Sequence, residues 1–209
     1  MANRADASLE RVVKRVVVAL LVPVPWHPPG VDPGAWRTAL AEDVVDLLAM
    51  LAQAEPAVAA TAADRRLADE IAWPGMRIYE VATASVRPVL EAAAADGFDQ
   101  AAVIAADAPD VPGMVLGKLL RPLETRPVAV APGGPGGGLF GVATTLPPPG
   151  WLVDHDLDTA SAMHLRRTAP QPGDVQSTAD WRRLRGPADL ASLDPALEGW
   201  ENTRALLGG

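Results

Sequence analysis

The chain has 209 residues, enough for one domain with a sizeable buried core. Hydrophobic residues make up 49% and charged residues 21%, which is typical of a globular protein rather than a disordered one. The net charge of -8 argues against a nucleic-acid partner, because no long basic run offsets it. The absence of cysteine excludes disulfides and thiolate metal sites, and it is consistent with a cytoplasmic location.

The first half of the chain alternates apolar runs with amphipathic stretches. An apolar run at 16–22 predicts a buried first strand, and even the longer run 16–24 is too short to cross a membrane. Five prolines predict an irregular loop at 23–34. Weaker patterns complete this half: helices at 35–53, 63–71 and 86–95, and strands at 57–61 and 76–81.

The second half begins with the same alternation and then loses it. The predicted elements are strands at 101–106, 128–131 and 139–144, helices at 112–123, 158–168, 187–193 and 197–207, and a loop at 171–178. Strands that alternate with helices indicate a mainly parallel sheet. We therefore expect a Rossmann-like, three-layer α/β/α sandwich with a mixed sheet. It forms one domain over 1–209, with a core at about 14–146 and a C-terminal subregion at about 150–209.

Two carboxylates, Asp107 and Asp110, come directly after the predicted strand at 101–106. Ligands bind at the carboxyl ends of strands in open α/β sheets. Two carboxylates on one turn could share a divalent cation, since Mg²⁺ commonly takes one or two carboxylates together with phosphate oxygens. The alternative is structural: Asp107 could cap the next helix or close a turn that Pro109 fixes.

The glycine-rich loop at 133–138 lacks the Lys-Ser/Thr ending of a P-loop and the spacing of a dinucleotide fingerprint. Its backbone could approach a ligand closely, because glycine has no Cβ, or it could be a surface connection.

Further along, Asp154, Asp156 and Asp158 alternate around His155. In an extended segment such residues point the same way and could bind a metal, whereas the alternative is an acidic loop before a helix that Asp158 caps. His27 and His164 have no evident partner in the sequence.

Several motifs occur in a familiar order. A Pro-Val-Pro segment at 23–25 follows the first strand, Arg37-Thr38-Ala39-Leu40 lies on the first helix, and Asp107-Ala108-Pro109-Asp110 and a glycine-rich segment at 136–141 come later. Over about 14–194, this order resembles the nucleotide-diphospho-sugar transferase (GT-A-like) superfamily. The nearest resemblance is to a bacterial, glycosyltransferase-like branch akin to 2-phospho-L-lactate guanylyltransferase.

The resemblance implies a nucleotidyl- or glycosyl-transferase that binds a nucleotide or nucleotide-sugar with Mg²⁺ or Mn²⁺. Asp107 and Asp110 would bind the metal, while Gly136, Gly137 and Gly138 would border the donor or acceptor. The expected partners are the nucleotide ligand and, as an option, a second copy in a homodimer, with no nucleic acid and no membrane.

The chain departs from the family in two places. The family's basic phosphate loop is replaced by the neutral or acidic residues of 26–34, and the family's Asp-Gly-Gly has become 136–138 without its acid. Arg37 is therefore expected to contact substrate, and Arg182 or Arg185 could add positive charge. The alternative hypothesis is a non-catalytic binding or scaffold protein, with Trp26 and Trp151 exposed on a partner surface.

Overall fold

A computed structural model of the chain describes residues 12–135 and 137–208. Its strands form a single seven-stranded sheet. The strands are Arg15–Leu20 (β1), Glu55–Ala60 (β2), Arg77–Glu80 (β3), Gln100–Ala105 (β4), Val128–Pro132 (β5), Leu139–Thr145 (β6) and Val175–Ser177 (β7).

The helices connect the strands or follow the sheet. The α-helices of the described residues are Pro33–Ala49 (α1), Arg65–Ile71 (α2), Val86–Ala95 (α3), Gly113–Leu120 (α4), Ala162–Thr168 (α5), Pro187–Leu190 (α6) and Glu201–Leu206 (α7). Short 3-10 segments lie at Ala62–Asp64, Arg121–Glu124 and Pro172–Asp174.

The sheet has the strand order β3-β2-β1-β4-β6-β5-β7. The pairs β3-β2, β2-β1, β1-β4 and β5-β7 are parallel, whereas β6 runs antiparallel between β4 and β5. The chain moves outward from β1 to β3 and then returns to place β4 on the other side of β1. This creates a topological switch point between β1 and β4, which is where open α/β sheets bind ligands.

The central strand is buried on both faces because helices cover both sides of the sheet. Val16, Val18 and Leu20 contribute to the core cluster that includes α3, whereas Val17 and Ala19 contribute to the one that includes α1, α2 and α4. Successive side chains on a strand point to opposite faces, so a continuous apolar run serves both layers. The predicted three-layer α/β/α sandwich with a mainly parallel mixed sheet is confirmed.

The secondary structure of the C-terminal region differs from the prediction where it depends on contacts with residues distant in sequence. The prediction of a loop at 171–178 is wrong, because Val175–Ser177 forms β7 and pairs in parallel with β5. The helix predicted at 158–168 begins only at Ala162, and Ser161 caps it in place of Asp158. The polar sequence around β7 carries no strand pattern of its own, so only the pairing with β5 defines it.

The last helix returns the chain to the first one. Asp43 of α1 accepts hydrogen bonds from the backbone N–H groups of Asn202 and Thr203 at the start of α7, each at 2.9 Å. Burial raises the pKa of Asp43 despite these hydrogen bonds. The C-terminal subregion is therefore fastened to the core at α1 as well as at β5.

Within the two described ranges, the helices are too short or too polar for any of them to span a membrane.

Candidate functional site

Asp107 and Asp110 lie just beyond β4, at the switch point of the sheet. Asp107 is fully buried and Asp110 is 4% exposed. The backbone pairing of β4 with β1 continues to this point, since the N–H of Ala106 donates to the carbonyl of Leu20 at 3.1 Å. The turn that carries both aspartates is therefore held at the edge where the sequence predicts a ligand site.

The side chain of Asp107 forms an ion pair with Arg183, which lies 76 residues later in the sequence. Arg183 Nε donates to Oδ1 at 2.7 Å and Nη2 donates to Oδ2 at 2.8 Å, which is a bidentate arrangement. The Arg183 side chain is only 2% exposed. Burial opposes its charge, but Asp107 and Asp158 outweigh that effect and raise the pKa of Arg183. We call Asp107–Arg183 the inner ion pair.

A second pair, Asp158–Arg185, adjoins the first and is more open to solvent. Arg185 Nη1 and Nη2 donate to the Asp158 carboxylate at 2.5 and 3.1 Å, and the two side chains are 26% and 35% exposed. Arg183 Nη1 also lies 2.7 Å from Asp158 Oδ1. Burial alone would raise the pKa of Asp158, but Arg185 and Arg183 together lower it. We call Asp158–Arg185 the outer ion pair.

Asp110 has its own partners. It accepts hydrogen bonds from Arg182 Nη2 and from the indole Nε1 of Trp181, the latter at 3.2 Å. Burial raises the pKa of Asp110, and this effect exceeds the opposing effects of Arg182 and Trp181. The two aspartates of the turn thus bind different arginines instead of converging on one point.

The residues 181–185, which we call the arginine segment, are anchored by their backbone. The N–H of Trp181 donates to Pro132 at 3.0 Å and the N–H of Leu184 donates to the carbonyl of Asp107 at 2.7 Å. The Leu184 side chain packs with the buried Trp36 and with Leu40 of α1. This anchoring holds the guanidinium groups beside the carboxylates in the folded chain.

The glycine loop lies against the same segments. Gly138 has a φ of +73°, and a Cβ on it would meet the carbonyl oxygens of Leu157 at 2.5 Å and Asp158 at 2.8 Å. Gly137 has a φ of +78° but faces open space. Gly136 lies outside the described residues. The close approach of residues 157–158 explains why position 138 requires glycine. Substrate contact by Gly136, Gly137 and Gly138 stays a prediction.

Arg37, the remaining predicted substrate residue, is paired with Asp64. Its Nη1 lies 2.5 Å from Asp64 Oδ1, and the Arg37 side chain is 26% exposed. The hydrogen bond from Arg37 lowers the pKa of Asp64, although burial acts in the opposite direction. The role of Arg37 toward substrate also stays a prediction.

The carboxylates of the acidic segment around His155 do not converge on one point. Asp154 accepts from Ser85 Oγ at 2.7 Å and from the N–H of Arg87 at 3.0 Å, so it caps α3. Asp156 instead accepts from the backbone and side chain of Thr159. This favours the acidic-loop interpretation for both residues. The ring of His164, which had no evident partner in the sequence, lies 5.8 Å from that of His155, edge to face.

The two tryptophans expected on an exposed partner surface are both half-buried. Trp26 packs edge to face on Trp36 with ring centroids 6.2 Å apart, and Trp151 packs against the core. Their predicted exposure is therefore not observed.

These residues do not fit a divalent cation in the arrangement described. Both oxygens of Asp107 accept from Arg183, and both oxygens of Asp110 are engaged as well. Within 12–135 and 137–208, the structure has no group of three or more His, Asp or Glu side chains that could hold a metal. Metal binding by Asp107 and Asp110 stays a prediction that these contacts do not favour.

No family model matches the sequence, and a search of curated proteins finds no match. Solved structures do match. One is a candidate nucleotide-diphospho-sugar transferase from Desulfovibrio desulfuricans G20, with a TM-score of 0.60, 15% identity and coverage of 93% of this chain and 96% of that one. The chain has a nucleotide-diphospho-sugar transferase-like fold.

Two further structures share this fold. The 4-diphosphocytidyl-2C-methyl-D-erythritol synthase of Anaerococcus prevotii has a TM-score of 0.58 at 8% identity, with 93% of this chain and 96% of that one covered. Rv0371c of Mycobacterium tuberculosis H37Rv, crystallised in complex with manganese, has a TM-score of 0.53 at 17% identity, with 94% and 98% covered. These likenesses support the α/β fold predicted from the motifs.

Sequence reasoning located the turn after β4 but missed its principal partner. The sequence predicts that Arg182 or Arg185 adds positive charge, but it predicts neither the contact of Arg183 with Asp107 nor the pairing of Asp158 with the arginine segment. The available signal was the basic cluster Arg182-Arg183-Leu184-Arg185 itself, in a chain that otherwise has no basic run.

Proposed function

We propose that the chain is a nucleotidyltransferase-like protein that binds the phosphate groups of a nucleotide or nucleotide-sugar at the switch point beside β4. One observation carries the proposal: the arginine segment brings three guanidinium groups to the carboxyl edge of the sheet. That edge is where open α/β sheets take their ligands, and guanidinium groups recognise phosphate oxygens with paired hydrogen bonds.

The accessible arginines are those that would receive phosphate. Arg182 and Arg185 are 23% and 26% exposed, and each is held by a carboxylate. The Nε of Arg182 is buried and has no hydrogen-bond partner among the described residues, so it retains a donor. A phosphate could replace Asp158 as the partner of Arg185 at small cost, because half-exposed ion pairs contribute little and Asp158 would keep Arg183 as a partner. The proposed binding does not use the predicted Mg²⁺ or Mn²⁺, since Arg183 occupies both oxygens of Asp107.

Isothermal titration calorimetry with nucleoside triphosphates and nucleotide-sugars tests the proposal. We expect saturable binding of at least one of them to the wild type and weaker binding to Arg185→Gln. Arg65→Gln is the matched control, because Arg65 also holds a carboxylate but lies on α2. No heat with any member of the panel would reject nucleotide binding.

The second candidate is a binding protein that has lost transfer chemistry. Its specific support is that both predicted metal ligands are occupied by arginines, together with the lack of lysine and arginine in 26–34. This candidate predicts that a nucleotide binds and is recovered unchanged. Release of pyrophosphate or of the sugar from a bound ligand, detected by phosphorus NMR, would reject it in favour of a transferase.

A further inference from the structure

The contacts at the switch point place one cationic nitrogen between two carboxylates. Arg185 Nη1 lies 2.5 Å from Asp158 Oδ1 and 3.7 Å from Asp107 Oδ2. Arg183 bridges the same two carboxylates, with Nε and Nη2 on Asp107 and Nη1 on Asp158. A divalent cation bound by two carboxylates would lie in this position, between their oxygens.

The bridge is built into the fold. Asp107 is fully buried and Arg183 is 2% exposed, so both partners are shielded from bulk water. The N–H of Leu184, between the two arginines, donates to the backbone carbonyl of Asp107 at 2.7 Å. The N–H of Arg185 donates to Asp189 Oδ2 at 3.0 Å, which fixes the far end of the arginine segment. Both guanidinium groups are therefore positioned before any ligand arrives.

The charges at the site balance. Three carboxylates, on Asp107, Asp110 and Asp158, face three guanidinium groups, on Arg182, Arg183 and Arg185. A metal ion entering this site would meet no uncompensated negative charge, and it would have to expel an arginine from a buried carboxylate. Such an expelled charge is costly to leave without a partner.

We propose that the chain supplies its own cation at this site. The guanidinium groups of Arg183 and Arg185 take the position between Asp107 and Asp158 that a divalent metal ion would need. Any phosphate that binds here would therefore bind without a metal. The statement about phosphate rests on the proposed nucleotide binding, whereas the statement about the carboxylates does not.

Titration with Mn²⁺ alone, followed by the EPR signal of the free ion, tests the inference. Wild type should show no saturable binding below about 1 mM. The double variant Arg183→Gln/Arg185→Gln should bind Mn²⁺ at least about tenfold more tightly, because Asp107 and Asp158 lose their cations. The matched control is Arg65→Gln/Arg77→Gln, which removes the same charge and frees surface carboxylates, and it should gain nothing.

Two outcomes would overturn the inference. One is tight Mn²⁺ binding by the wild type that Asp107→Asn/Asp158→Asn abolishes. The other is a double variant with a native circular dichroism spectrum that binds Mn²⁺ no better than wild type. If the double variant does not fold, the wild-type titration decides.

A second titration separates this inference from the proposed function. A nucleotide that binds should do so with the same affinity, within about twofold, in EDTA and in Mn²⁺. Weakening of about tenfold or more in EDTA would overturn metal-free phosphate binding. If no nucleotide binds at all, the proposed function fails, and the Mn²⁺ titration still decides whether the arginines stand in place of a metal.

Discussion

The inner and outer ion pairs use the same two residue types and differ in burial. Asp107 and Arg183 are 0% and 2% exposed, whereas Asp158 and Arg185 are 35% and 26% exposed. A buried pair cannot lose one partner without leaving an unpaired charge in the interior, but a half-exposed pair can exchange its partner for water or a ligand. Burial therefore indicates that the inner pair stabilises the fold, whereas the outer pair can exchange a partner for a ligand.

The largest effect is expected from breaking the inner pair. Arg183→Met should lower the free energy of unfolding by about 3–5 kcal/mol, because it removes the bidentate partner of the buried Asp107 carboxylate and leaves only Arg185 Nη1, 3.7 Å away. Urea denaturation followed by circular dichroism measures this. Asp107→Asn/Arg183→Met should recover much of the loss. If the single variant loses less than about 1 kcal/mol, the inner pair does not hold the fold.

The glycine loop shows the same contrast between a packed and an open position. Gly138→Ala should cost about 2–4 kcal/mol, because its Cβ would meet the carbonyls of Leu157 and Asp158 in addition to the left-handed strain. Gly137→Ala is the control, with a similar φ but open space, and should cost about 1 kcal/mol. Equal losses in thermal denaturation would show that Gly138 is not packed against 157–158.

Arg185→Gln separates stability from ligand binding. Because the outer pair is half-exposed, the change in the free energy of unfolding should stay below about 1 kcal/mol. The affinity for a bound nucleotide should fall about tenfold or more, since a charge-assisted hydrogen bond is lost. Urea denaturation and calorimetry on the same preparation measure both. A large loss of stability with unchanged affinity would reverse the assignment of the two pairs.

The smallest effect is a pH dependence of the outer pair. The pKa of Asp158 is lower in the folded chain than its ordinary value, because Arg185 and Arg183 outweigh its burial. The folded state therefore releases this proton more readily. The stabilisation is complete above about pH 4 and is lost as the pH falls through the folded pKa. The stability difference between wild type and Asp158→Asn should shrink as the pH drops from 7 to 3. A difference that grows toward low pH would contradict this.

Much of the fold could be predicted because hydrophobic patterns are local. The apolar runs located β1 and β4 to within one or two residues. Where the pattern weakens, prediction failed: β7 is three residues long and exists through its pairing with β5. The start of α5 at Ala162 was misplaced because several polar residues before it could serve as a helix cap.

The candidate site was predicted in part for the same reason. An aspartate-rich turn after a strand is a local signal, and it identified Asp107 and Asp110. Their partners lie 71 to 76 residues away, a separation at which no spacing rule links one side chain to another. The sequence predicted the position of the site, but it could not show that Asp107 is already taken by Arg183.

The layered α/β architecture and the acidic turn at the end of β4 could be read from local sequence, because burial periodicity and strand-end position depend on neighbouring residues. Which side chains face that turn depends on long-range packing. The arginine segment reaches Asp107 because backbone hydrogen bonds at Trp181 and Leu184 return the chain to the switch point. A carboxylate free to bind a metal and one held by a guanidinium have the same local sequence, and long-range packing alone distinguishes them.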